Sequence, residues 1–202
     1  MRYTKIIALG ILIFLWGSTS AQDTAIEEIM EFRMELNTEF ADPEESPLEE
    51  EDRLHFEALD FFPIDLNFRI EARFIRTPGQ EPFEMQTTTD RRPVYEKYGE
   101  CHFELEGRKF VLNVYQSHSL REKEGYEDYL FLPFKDFTNG SESYGGGRYI
   151  DLRVPEDETI ILDFNMSYNP YCAYSYRYSC PLVPEENHLE VAIPAGIKKW
   201  GH

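Results

Sequence analysis

Residues 66–75 constrain this chain more than any other stretch. Phe68, Ile70, Ala72 and Phe74 alternate with Arg69, Glu71 and Arg73, and only Ile75 interrupts the polar set. Side chains of a strand point alternately to its two faces, so a period of two predicts a strand half-buried against a core. Thr77-Pro78-Gly79 turns the chain afterwards. Further strands are predicted over 83–89, 101–106, 109–116, 129–134, 148–152, 159–164 and 189–193, with turn clusters between them and no long helical pattern. Gly107-Arg108 is read as the centre of a type II′ hairpin that sets Glu106 opposite Lys109. The expected fold class is mainly β, an antiparallel sandwich or partly open barrel.

The period ahead of this region is helical. Ile26, Ile29, Met30, Phe32, Arg33 and Leu36 form a stripe at three- and four-residue spacing over 23–40. Asp23 suits the cap, Glu27 and Glu28 suit the first turn, and Asp42-Pro43 ends the helix. Ser46-Pro47-Leu48-Glu49 reads as the start of a second helix running to about Leu59. Earlier still, Arg2 and Lys5 precede an apolar run over 6–16, and small residues stand at Thr19 and Ala21. This is the pattern of a signal peptide cleaved before Gln22. The run is roughly half the 20 residues a membrane span needs. The expected division is 1–21 signal peptide, 22–60 acidic helical arm and 61–202 β domain, the arm and β region forming one unit. The expected location is extracytoplasmic, periplasmic or secreted, with no membrane span after cleavage.

The charge narrows the partners. Twenty Lys and Arg oppose 38 Asp and Glu, a net charge of −18. Removing Arg2 and Lys5 makes it −20. Nucleic-acid affinity rests on basic contacts to phosphate, so no nucleic-acid partner is expected. Docking on anionic lipid is opposed for the same reason. A 15% share of aromatic residues separates the chain from disordered ones.

The candidate site lies in residues 137–196, where polar side chains stand among aromatics, glycines and prolines. Tyr144-Gly145-Gly146-Gly147-Arg148-Tyr149 can turn backbone N–H groups, with the Arg148 fork, toward an anion. The same glycines suit a bulge or tight corner. Asp163, Asn165 and Asn169 follow a strand end and can either hold a polar ligand or order their own loop. Asn187 lies in a similar turn, and Tyr144 and Tyr168 offer stacking faces. Asp163 and Glu185 are candidate acid/base groups. Cys172 is a candidate nucleophile with His188 or His102 as base, or one half of a Cys172–Cys180 disulfide that leaves Cys101 as a core thiol. No metal site is read, because cysteines eight apart with His188 do not match zinc spacing. No cofactor motif occurs.

These segments resemble an uncharacterised bacterial and archaeal family, domain of unknown function 1684. The resemblance rests on Thr138-Asn139-Gly140, Tyr144 to Tyr149, Asp163-Phe164-Asn165, Tyr168-Asn169-Pro170, Cys172-Ala173 and Cys180-Pro181 through Asn187, with Ser46-Pro47-Leu48 and Phe62-Pro63-Ile64-Asp65 upstream. It spans about residues 30 to 200. Ser167 stands where the family pattern has alanine, and Ile197 where it has glutamate after Ala195-Gly196. The family pattern, present in relatives without signal peptides, implies a role for the two cysteines besides a staple, such as a ligand-site thiol. It implies no reaction. The residue chemistry favours a secreted protein that binds a small polar or anionic ligand. The alternatives are a hydrolase or transferase with a carboxylate acid/base and a non-catalytic envelope module.

Overall fold

The computed structural model describes residues 16–201. Most of the predicted signal peptide, including Arg2 and Lys5, lies outside the described residues. Helix α1 (Trp16–Ala41) runs through the expected cleavage point and docks Ala25, Ile29 and Phe40. Met30, placed in the stripe by spacing, is 60% exposed. The second helix is shorter than expected. Helix α2 (Glu50–Leu54) has no buried residue. Ahead of it Ser46 Oγ donates to the Phe40 carbonyl and accepts from Leu48 N–H, holding a turn. Leu48 and Leu59 are buried on either side of α2, against Phe40, Tyr174 and Ile197. No helix among the described residues is long and apolar enough to cross a membrane.

The sheet has seven strands: β1 (Arg69–Arg76), β2 (Phe83–Glu84), β3 (Val94–Leu105), β4 (Arg108–Ser117), β5 (Tyr129–Phe134), β6 (Arg148–Arg153) and β7 (Thr159–Asp163). The order is β6-β5-β4-β3-β1-β7, all pairs antiparallel, with β2 beside β3. The result is a half-barrel behind an N-terminal helix. In β1 the alternation is real, since Ala72 and Phe74 are buried between exposed Glu71 and Arg73. The hairpin differs from expectation. Leu105 pairs Arg108, so the two central residues are Glu106 and Gly107, with φ of 51° and 73°. Two positive φ values make a type I′ turn, and Glu104 faces Lys109. Residues 189–193 form no strand. They lie extended across the core, with Phe137 N–H donating to Val191 O and Leu189 N–H to Lys135 O.

The sheet has two packed faces. Phe74, Cys101, Leu112, Leu130, Ile150, Leu162 and the 189–195 strap fill the main core. The opposite face of β3–β6 carries Tyr95, Tyr115, Phe131 and Tyr149, which pack with Met85 and Val183. From the following chain Tyr168 and Val183 pack on this second face, and Tyr168 bridges to Tyr149 at the edge of β6.

Candidate functional site

The glycine-arginine segment turns inward. Arg148 begins β6 on the core face and is wholly buried, as is its ion-pair partner Asp136 at 2.7 Å. Its other donors reach the carbonyls of Ala195 and Ile193. Burial lowers the guanidinium from its ordinary value and Asp136 opposes that shift. No face of Arg148 is left for an anion, so the expected fork contact is replaced by a brace that fastens the C-terminal strap to β6. Gly146 packs against Tyr144. A Cβ there would fall 2.3 Å from the Tyr144 ring, so the missing side chain gives that ring its seat. Gly147, with φ of 96°, lets the chain pass the Phe134 carbonyl.

The asparagines behave alike. Asn165 accepts from Asp65 N–H at 3.0 Å and donates to Asp65 O at 2.9 Å, so a side-chain amide completes a backbone-like pair. Asn187 does the same with Asn113, at 2.8 and 2.9 Å, and also donates to Pro133 O. Both are 0% exposed. Asn169 donates to Lys198 O and Tyr174 Oη. Asp163 accepts from Asn165 and pairs with Arg69 at 2.8 Å, and Arg69 also reaches Glu28 of α1. Glu185 is exposed in its own turn. Arg148, Asp163, Asn187 and Cys172 therefore do not surround one cavity. Most of the buried polar atoms of these residues are matched by a partner, as a low-dielectric interior requires, while Arg148 Nε and Asn169 Oδ1 have none among the described residues.

An open cluster forms on the second face. Period two in β6 puts Tyr149, Asp151 and Arg153 together, opposite Arg148, Ile150 and Leu152. The register sets Phe131 beside Asp151 and Tyr129 beside Arg153. Tyr129 Oη and Tyr168 Oη both donate to Asp151 Oδ1, at 2.7 and 2.6 Å. Oδ2 accepts no bond from the described residues. Asp151 is exposed, yet the protein around it strips away part of its hydration and raises its carboxyl above the usual range, while the two tyrosine hydroxyls draw it back. A groove of about 640 Å³ opens here, lined by Tyr126, Tyr129, Asp151, Arg153 and the start of β7. Arg153 lies over both tyrosine rings and pairs with Asp128.

Cys172 and Cys180 stand near Tyr149, whose hydroxyl donates to Pro181 O next to Cys180. All three thiols are free. Cys172 N–H donates to Cys180 Sγ at 3.2 Å, and Tyr144 Oη is 3.9 Å from Cys172 Sγ. Contact with the Cys180 thiol is the main cause that brings Cys172 down to about 7, and it pushes Cys180 up. Neither His102 nor His188 bonds Cys172: His102 pairs with Glu100, and His188 bridges to Lys135. Among the described residues no three His, Cys, Asp or Glu side chains converge as a metal site would need.

Sequence reasoning named Tyr144, Tyr168 and Cys172 but not Asp151 or Tyr129. The available signal was the alternation of β6. It was masked because Arg148, the polar residue that drew attention, occupies the core face.

A family model described as "Protein of unknown function (DUF1684)" matches residues 54–198. The solution NMR structure of an uncharacterised protein from gene locus rrnAC0354 of Haloarcula marismortui is similar, with TM-score 0.70 and 34% identity. The match covers 89% of this chain and 96% of that one. No curated protein matches.

Proposed function

This chain belongs to the DUF1684 family, and from that premise we propose that it is an exported protein that binds a small polar ligand in the Asp151 groove. The observation that carries the reading is the half-used carboxylate: two tyrosines fix Oδ1, Oδ2 accepts no bond from the described residues, and Asp151 lines the groove. Tyrosine rings beside an oriented carboxylate suit a sugar, polyol or amine. An anion is disfavoured, because Arg148 is enclosed and Arg153 is held by Asp128 and Gly125 O. Export fits the same picture, since cleavage before Gln22 leaves Ala25, the first residue of α1 described as buried, in place.

The test is a thermal-shift screen of sugars, polyols, amines and organic acids against the protein and its Asp151→Asn variant. A ligand at a hundred times its Kd stabilises by about 2.7 kcal/mol. A hit lost in Asp151→Asn supports the reading, and a hit of equal size in both proteins overturns it. Export is checked by the N-terminal mass of protein recovered outside the cytoplasm, expected to begin at Gln22. A second reading has its own observation. The raised carboxyl of Asp151, with one oxygen free, suits a general acid/base in a hydrolase or transferase. It requires turnover that Asp151→Asn abolishes without loss of binding.

A further inference from the structure

We propose that Cys172 and Cys180 form a dithiol exchange site for low-molecular-weight disulfides, with Cys172 attacking and Cys180 resolving. The inference stands apart from the Asp151 reading, because it rests on other residues. Two separately braced loops hold the sulfurs together. Cys172 sits in the 3₁₀ turn Tyr171–Ala173, after Pro170. Cys180 is fixed to the segment after β2: its N–H donates to Thr88 Oγ1 at 3.2 Å, and Thr88 N–H donates to Cys180 O at 2.9 Å.

The environment separates their roles. Cys172 is half-buried and so reachable, whereas Cys180 is 8% exposed. The Cys180 thiol and the Tyr144 hydroxyl both stabilise charge on the Cys172 sulfur. Gly146 makes the Tyr144 position available. Cys101 is the internal contrast: it is 0% exposed in β3, and burial pushes its thiol up to about 12.

The exchange balances without a further reagent. The Cys172 thiolate attacks one sulfur of R–S–S–R, the S–S bond breaks, and one RS⁻ leaves. Cys180 then gives up its proton and attacks the Cys172 sulfur, releasing the second RS⁻. The protons lost by the two cysteines end on the two RS⁻ groups. The protein gains a disulfide and the probe is reduced to two thiols. An attacking thiol does best with a pKa near ambient pH, and the Cys172 value meets that condition.

The experiment uses fully reduced, folded protein and bis(2-hydroxyethyl) disulfide, with mass spectrometry of intact protein and peptides. The wild type is expected to lose two hydrogens and to yield one linked peptide pair, Cys172 to Cys180. The Cys180→Ser variant is expected to stop at a mixed disulfide on Cys172. Cys172→Ser is expected to react at least about tenfold more slowly at pH 7, because Cys180 is enclosed, at 8% exposed. Circular dichroism establishes that each variant is folded. The proposal is overturned if folded Cys180→Ser forms no adduct. It is also overturned if the wild type stops at a mixed disulfide, or if Cys101 reacts as fast as Cys172.

Discussion

Arg148 and Gly147 illustrate why a motif that looks like a ligand loop can be a structural joint. Truncating Arg148 to Ala leaves Asp136 buried without its cation and frees the carbonyls of Ile193 and Ala195. Breaking one side of a buried pair costs about 3–5 kcal/mol. Chemical denaturation of Arg148→Ala is expected to show a loss of that size. Gly147→Ala combines a φ of 96° with a Cβ 2.5 Å from Val183 Cγ2 and 2.7 Å from Phe134 O. Its expected cost is about 2–4 kcal/mol. Gly145 meets nothing nearer than 3.6 Å, so Gly145→Ala should stay within about 0.5 kcal/mol of the wild type. Asp151 carries the opposite sign. Its folded carboxyl is raised, so the proton it holds stabilises the fold at low pH and that contribution is lost as pH rises through the folded value. Melting curves of wild type and Asp151→Asn between pH 4 and 7 should therefore show the variant gaining on the wild type as pH rises.

Elements were legible where the signal is local. The alternation of β1 and the hairpin between β3 and β4 depend on neighbours in sequence, and both formed. The strand expected over 189–193 shows the limit. Leu189, Val191 and Ile193 are all buried, so the alternation is real, but it reports an extended segment with one covered face and not a ladder partner. The first half of β3 was hidden for another reason. A bulge between Lys97 and Gly99 shifts the register, and Gly99 lies where a Cβ would meet the Phe74 ring at 2.6 Å. The polar site residues were ambiguous because Asn and Arg that complete a buried backbone pair look in sequence like those that hold a ligand. Docking of α1 can be tested directly. A chain beginning at Gln22 keeps Ala25, Ile29 and Phe40, and its melting temperature should match that of the full chain. A chain beginning at Pro43 loses Ile29 and Phe40, the Arg33 bond to Phe62 O and the Arg69–Glu28 pair. The two apolar side chains alone contribute about 3–6 kcal/mol, and that loss should appear in the denaturation midpoint.

At the scale of the whole molecule the governing quantity is charge. An excess of 18 acidic groups repels itself, and compaction brings those groups closer than they are in the unfolded chain. Attractive pairs oppose this, but several are exposed: Arg153–Asp128, Lys198–Asp60 and Arg108–Glu190. Such pairs are worth about 0–1 kcal/mol each and are screened by the same salt. The Arg148–Asp136 pair has no exposed atom to screen. Raising ionic strength from about 10 to 300 mM shortens the screening length from about 30 Å to well under 10 Å. Long-range repulsion fades first, while the buried pair and both cores are untouched. The melting temperature at pH 7 is therefore expected to rise by about 2–6 °C across that range, since 1 kcal/mol corresponds to about 2–4 °C for a chain of this size. Near the isoelectric point the rise should vanish, because the excess charge that salt screens is gone. A fall with salt at pH 7 would show instead that the surface ion pairs outweigh the net repulsion, and calorimetry at the two ionic strengths separates the outcomes.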